Sequence, residues 1–392
     1  MRKYINSKLE GLAPSGIRRF FDIASEMEHV ISLGVGEPDF DTPWKIREAG
    51  IYSIEQGRTI YTANAGLKSL REEISRYVRR KYDLTYDPQK EILVTVGGSE
   101  AIDVGLRSIL EPGDEVLIPE PCFVCYAPCT VLAGGVPVPV PLSEKNEFKL
   151  TAEDIQAHVT DKTKVLIFPF PNNPTGAVMD RQDLEKVRQL IIDLDLFVIS
   201  DEIYSELTYG TERHVSIASL PGMQERTLVI NGFSKTFSMT GWRLGYAMGP
   251  ADLIKQMTKM HQYAIMCAPT LSQYAAIEAL RNADQEVEDM RTEYDHRRRL
   301  VLKLLKEMDV PCFEPKGAFY VFPNISRFGL TSEEFCQKLL YSKHVAVVPG
   351  TAFGDSGEGF VRISYAYSMQ QLKEALSLMR AFTEELARGQ HV

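Results

Sequence analysis

Several things that would define other kinds of protein are scarce in these 392 residues. There are six cysteines, too few to staple a chain this long, so reduced, partly buried thiols are expected rather than a disulfide scaffold. Basic charge is not in excess. Lysine and arginine number 44 against 53 acidic residues, a net charge of -9 and the wrong sign for a nucleic-acid surface. The basic runs that exist, RYVRRKY (76–82) and HRRRL (296–300), fall in helical patterns and read as solvated helix faces. No apolar run approaches the roughly 18 residues of a membrane span. The opening MRKYINSKLEGL lacks the continuous apolar stretch of a signal peptide. A cytoplasmic protein without nucleic-acid or membrane partners is the expectation. No internal repeat and no low-complexity tract stands out.

Motifs are missing too. Neither G-x-x-x-x-G-K-[ST] nor a G-x-G-x-x-G after the first strand of a βαβ unit is present, which disfavours a nucleoside triphosphate or a dinucleotide. Cys122, Cys125 and Cys129 make a C-x2-C-x3-C cluster, but no fourth ligand lies at a similar short spacing, so no metal is expected. GDSGEG (354–359) echoes a serine-protease motif. That chemistry needs an all-β setting with His and Asp upstream, and a glycine-rich surface turn is the better account.

What is present is an alternation. Apolar runs at 91–96, 114–119, 136–142, 164–170, 196–202, 226–231 and 243–249 predict strands, with helical patterns at 99–110, 180–193 and 251–260 between some of them. Near-continuous apolar strands alternating with helices predict an α/β fold, a mostly parallel sheet sandwiched by helices. The prolines of VPVPVPL place 136–142 at an edge or in an irregular strand. A long charged helical pattern over 282–308 is followed by AFYVFPNI, HVAVVPG and GFVRISYAY, which read as a smaller α+β domain. The expected division is a large cofactor-binding domain over 47–285 and a small domain made of 1–46 and 286–392.

In open α/β sheets ligands sit at the carboxyl ends of strands. Four predicted strands end in polar groups: Gly97-Gly98-Ser99-Glu100, PNNPTG (171–176), Asp201-Glu202-Ile203-Tyr204, and NGFSK (231–235). Gly-Gly-Ser at a strand-to-helix turn bares backbone amides suited to a phosphate, or is simply a tight turn. Ser234 and Arg243 could add phosphate donors. Asp201 ends an apolar strand, so its carboxylate needs a partner or caps the next segment. Lys235, if desolvated, has a lowered pKa and a nucleophilic amine; otherwise it salt-bridges Asp201. One small phosphorylated cofactor fits this rim.

Taken in order, YTANAGLKSLREEI, VTVGGSEAI, PNNPTG, SDEIY, NGFSKTFSMTGWRLGY and PGTAFG…GFVRISYA resemble the class I/II pyridoxal-phosphate-dependent aminotransferases of fold type I, over nearly the whole chain. The resemblance implies pyridoxal 5'-phosphate held by Lys235 as an internal aldimine, with the freed amine later shuttling a proton. It implies Asp201 beside the ring nitrogen, Asn173 and Tyr204 on the ring oxygen, and Phe123 stacked on the ring. The amides of Gly98, Ser99 and Glu100, with Ser234 and Arg243, would hold the phosphate. Gly232 stands where some relatives carry a hydroxyl, so one donor is absent there. Tyr61 resembles a tyrosine that reaches the partner subunit's phosphate, which implies a homodimer. Arg362 would grip the substrate α-carboxylate and Gly36 would offer it a backbone group. Trp242 reads as packing beside the lysine loop.

The activity this implies is transfer of an amino group from an L-amino acid to a 2-oxo acid by a ping-pong route. C–S β-lyases of the same fold share nearly the same cofactor shell and stand as the alternative. A regulator of this fold would carry a DNA-binding module, which the acidic balance argues against. Substrate identity is left open among aspartate, aromatic, alanine, methionine and N-acyl-diaminopimelate donors. A dicarboxylate needs a second cation, for which Arg18 or Arg19 is a candidate; Phe20, Phe21, Tyr61 and Tyr263 suit a large apolar side chain equally.

Overall fold

The structure, a computed structural model, describes residues 4–12, 16, 27–211 and 213–389. Strand β1 (Ile31–Ser32) stands apart from the large sheet. Strands β2 (Ile92–Thr95), β3 (Glu115–Glu120), β4 (Val136–Pro141), β5 (Thr163–Phe168), β6 (Phe197–Asp201), β7 (Thr227–Gly232) and β8 (Gly245–Met248) form one sheet of seven. Their order is β2-β8-β7-β6-β5-β3-β4. Only β8 breaks the parallel arrangement, running antiparallel to both of its neighbours. As the prolines require, β4 lies at an edge, where missing amides need no second partner strand.

The apolar runs are continuous because both sheet faces are covered. Along β7, Leu228 and Ile230 enter one core with Leu93, Val165 and Ile199, while Val229 enters the opposite core with Val94 and Tyr246. This is the period-two alternation of a strand with two dry faces. The helix Gly97–Ile109 buries Ala101, Ile102, Val104 and Leu106 onto the first of these faces. Asp180 stands one residue before the helix Arg181–Asp193 and caps it, its carboxylate accepting from the Asp183 amide in a capping box.

Beyond the helix Asp284–Glu307, the apolar runs give shorter strands than their sequence suggests: β9 (Tyr320–Val321), β10 (Val345–Ala346), β11 (Val348–Pro349) and β12 (Val361–Ser364). Ala318 at φ 57° lies before β9 and Pro323 after it, and a helical turn from Gly350 ends β11. Three of them form an antiparallel sheet, β11-β12-β9, and β10 pairs in parallel with β1. Tyr204 and Leu207, just after β6, pack into the core formed by these C-terminal elements. The segment following Asp201 is therefore fixed from both sides.

Candidate active site

A cavity of about 270 Å³ opens at the carboxyl ends of β2, β5, β6 and β7. Larger clefts exist, including one of about 630 Å³ lined by Glu144, Asp309 and Glu314. Chemistry rather than size marks the smaller one. Lining it are Gly36, Gly98, Ser99, Phe123, Asn173, Asp201, Tyr204, Ser234, Lys235, Arg243 and Arg362, from segments far apart in sequence.

The lysine loop follows β7 directly. Lys235 Nζ donates to the Gly36 carbonyl at 2.7 Å. Burial pulls its pKa from 10.5 down to about 8; the Glu37 carboxylate opposes that shift, and Arg362 and Arg243 reinforce it. Asp201, at the end of β6, is buried and its carboxyl is pushed up, chiefly by desolvation. The Tyr126 hydroxyl donates to its Oδ2 at 2.8 Å and the Ile203 amide to its Oδ1 at 3.2 Å. Asp201 thus both faces the cavity and caps the turn after it.

Arg362, central in β12, is 2% exposed. Its Nη1 donates to Asn173 Oδ1 at 2.8 Å and its Nη2 to the Gly34 carbonyl. Its guanidinium lies over the Tyr320 ring at 4.4 Å. Its Nε is buried without a partner among the described residues. Tyr204 and Tyr320 share a hydroxyl–hydroxyl hydrogen bond at 2.8 Å.

The turn between β2 and its helix needs glycine. Gly97 has φ 77°, and a Cβ there would meet Arg243 Nη2 at 2.9 Å. A Cβ on Gly245 of β8 would lie 2.6 Å from the Gly97 carbonyl carbon, so the antiparallel strand presses on this turn from behind. The helix N-terminus thereby reaches the cavity beside Arg243 and Ser234.

Two expected members stand off the lining. Tyr61 is 79% exposed and lies outside this cavity in its own chain. The Glu100 side chain turns back, bonding the Val96 amide and His261 Nδ1, so only its backbone could serve an anion. Gly36 enters through its carbonyl, held by Lys235. Trp242 packs against Gly50 and donates to Thr42 Oγ1 at 3.0 Å, as a structural residue would. Arg18, Arg19, Phe20 and Phe21 lie outside the described residues. All six cysteines are free, and no group of three or more potential metal ligands occurs among the described residues. Sequence reasoning missed Tyr126 and Tyr320. Tyr126 opens the helix Tyr126–Ala133, an element the sequence reading did not predict.

The fold and this rim define an α/β transferase architecture, and comparison with known proteins identifies the family. The chain belongs to the class I and II aminotransferases, whose profile matches residues 28–378. It is a transaminase. It is 53% identical to the putative aminotransferase YugH of Bacillus subtilis strain 168, over 97% of this chain and 99% of that one. It is 50% identical to an aspartate aminotransferase of Pyrococcus abyssi, over 97% and 98%. The solved aromatic aminotransferase of Pyrococcus horikoshii OT3 superposes with a TM-score of 0.90 at 49% identity, covering 93% of this chain and 99% of that one.

Proposed function

We propose that this aminotransferase is pyridoxal 5'-phosphate dependent and moves the amino group of an L-amino acid to a 2-oxo acid in two half-reactions. One observation carries the reading: a desolvated lysine, a buried carboxylate and a glycine-rich helix N-terminus line the same cavity. The residues fit the cofactor. The carboxyl of Asp201, pushed up by burial, needs a cationic neighbour such as a protonated ring nitrogen. The positive-φ Gly97 turn, next to Arg243, leaves room for an anion at the amides of Gly98 and Ser99.

When bound, the cofactor supplies an aldehyde that condenses with amines and a ring that accepts the electron pair left when the Cα–H bond breaks. Lys235 Nζ would hold the cofactor and, when free, would take the proton from substrate Cα. Asp201 would favour a protonated ring nitrogen, and Tyr126 and the Ile203 amide orient that carboxylate. Asn173, Tyr204 and Phe123, which line the same cavity, would hold the ring. Arg362 receives the substrate α-carboxylate; its buried, unpartnered Nε is a donor that such a carboxylate would satisfy.

The working unit in this reading is a homodimer. Trp44, Ile51, Tyr52, Ile54, Ile60 and Tyr61, all within an 18-residue span, are large apolar side chains left exposed. Ile51 and Ile54 line a cleft of about 840 Å³ that also includes Arg243, itself on the wall of the site. In this reading the exposed Tyr61 serves the partner subunit.

Mixing the holoenzyme with a panel of L-amino acids tests the proposal. The visible cofactor band should shift and a matching 2-oxo acid should appear, with the band restored by an acceptor 2-oxo acid. No shift with any donor would sink it. Pyruvate and a thiol released from cystathionine without an acceptor would instead mark β-elimination.

A further inference from the structure

A phosphate held by helix amides needs those amides free and no mobile anion beside them. Glu100 threatens both conditions. It lies in the first turn of the helix Gly97–Ile109, on the same turn as Gly98 and Ser99. In the structure its carboxylate is tied back. One oxygen accepts from the Val96 amide, at the residue just before the helix. The other is bonded to His261 Nδ1 at 2.6 Å.

His261 belongs to the helix Ala251–Ala264, which packs against the cradle helix, where Ser108 Oγ meets Met260 Sδ at 3.6 Å. It is fully buried at 0% exposed, among the apolar neighbours Ile254 and Met257 of its own helix. Its Nε2 has no partner among the described residues. With Nε2 unpartnered, the ring proton belongs on Nδ1, which donates to Glu100. An apolar residue would fill this place without leaving a buried nitrogen unsatisfied, so the bond to Glu100 is what the histidine adds.

We propose that His261 is a positioning residue for the phosphate cradle: it holds the Glu100 carboxylate against the Val96 amide, leaving the Gly98 and Ser99 amides open to an anion. The inference rests on the pyridoxal-phosphate reading above. Glu100 thereby satisfies the Val96 amide and is kept from turning toward the bound phosphate.

The test compares two ligands that differ only in the phosphate. Apoprotein of wild type and of His261→Phe is titrated with pyridoxal 5'-phosphate and with pyridoxal, and Kd is read from absorbance and tryptophan fluorescence. The variant should lose roughly tenfold in affinity for the phosphorylated ligand, as expected for a lost hydrogen bond to a charged group, and keep its affinity for pyridoxal. His261→Asn, whose amide nitrogen stands where Nδ1 does and can still donate, should recover most of the loss. Adding Glu100→Gln to His261→Phe should also restore binding, because the carboxylate no longer needs restraint. Equal weakening toward both ligands, or a double variant as weak as the single one, would overturn the proposal. Thermal melting checks that each variant folds; if His261→Phe does not, His261→Leu, which carries no donor, replaces it. A wild type that binds both ligands equally would refute the underlying cofactor reading instead.

Discussion

Lys235 carries its reactivity in its surroundings. Burial lowers its pKa to about 8, and Glu37 is the largest charge favouring the ammonium form. The neutral amine therefore accumulates as pH rises through about 8, two units or more below an exposed lysine. The rate at which apoprotein captures pyridoxal 5'-phosphate should rise through that range and then level off; an inflection above pH 10 would contradict the desolvated amine. Removing the Glu37 charge leaves the ammonium less favoured, so Glu37→Gln should move the inflection to lower pH. Tyr126 has a similar indirect influence. Tyr126→Phe takes a donor from a buried carboxylate, a loss of about 1.5–3 kcal/mol, which pushes the Asp201 pKa further up. Turnover should fall roughly tenfold or more, with KM for the amino donor little changed. Arg362→Lys should do the reverse, raising KM most, because a lysine cannot offer the planar fork. Lys235, Asp201, Asn173 and Arg362 were legible in the sequence because each ends a strand or sits in a dense motif. Tyr320 was not, because its role arises from a β-strand of the C-terminal sheet folding back over Arg362 and Tyr204.

At the scale of elements, the cradle is a packing problem as much as a chemical one. Strand β8 lies so close behind the Gly97 turn that a methyl group on Gly245 would strike backbone, which cannot yield as a flexible side chain would. Gly245→Ala should destabilise the protein by about 1–3 kcal/mol and weaken cofactor retention together, read by thermal melting and by dialysis of the holoenzyme. A drop in stability with cofactor affinity intact would show that the strand and the cradle are not mechanically joined. The parallel strands were readable from their apolar runs, since burial on both faces leaves no alternation to misread. The antiparallel direction of β8 was not: direction follows from connection and pairing, and a four-residue strand carries neither in its composition. The C-terminal strands came out shorter than their apolar runs because those residues are buried by loops and helices as well as by ladders.

For the whole molecule, the exposed apolar face around Ile51 and Ile54 is the feature that sequence composition could not reveal. Only the fold shows that Trp44, Ile60 and Tyr61 are left exposed and that Ile51 and Ile54 line one cleft. On the proposed homodimer reading, replacing Ile51 and Ile54 with glutamate should shift sedimentation from dimer to monomer without unfolding the protein; a double variant that still sediments as a dimer would place the interface elsewhere. Arg243 sits on the wall of both the catalytic cavity and this apolar cleft. In the proposed homodimer, self-association and cofactor loading would draw on one side chain and so be thermodynamically coupled. Diluting the enzyme should bleed away its colour, and supplying the vitamin-derived group in excess should in turn hold the pair together at concentrations where the stripped protein comes apart.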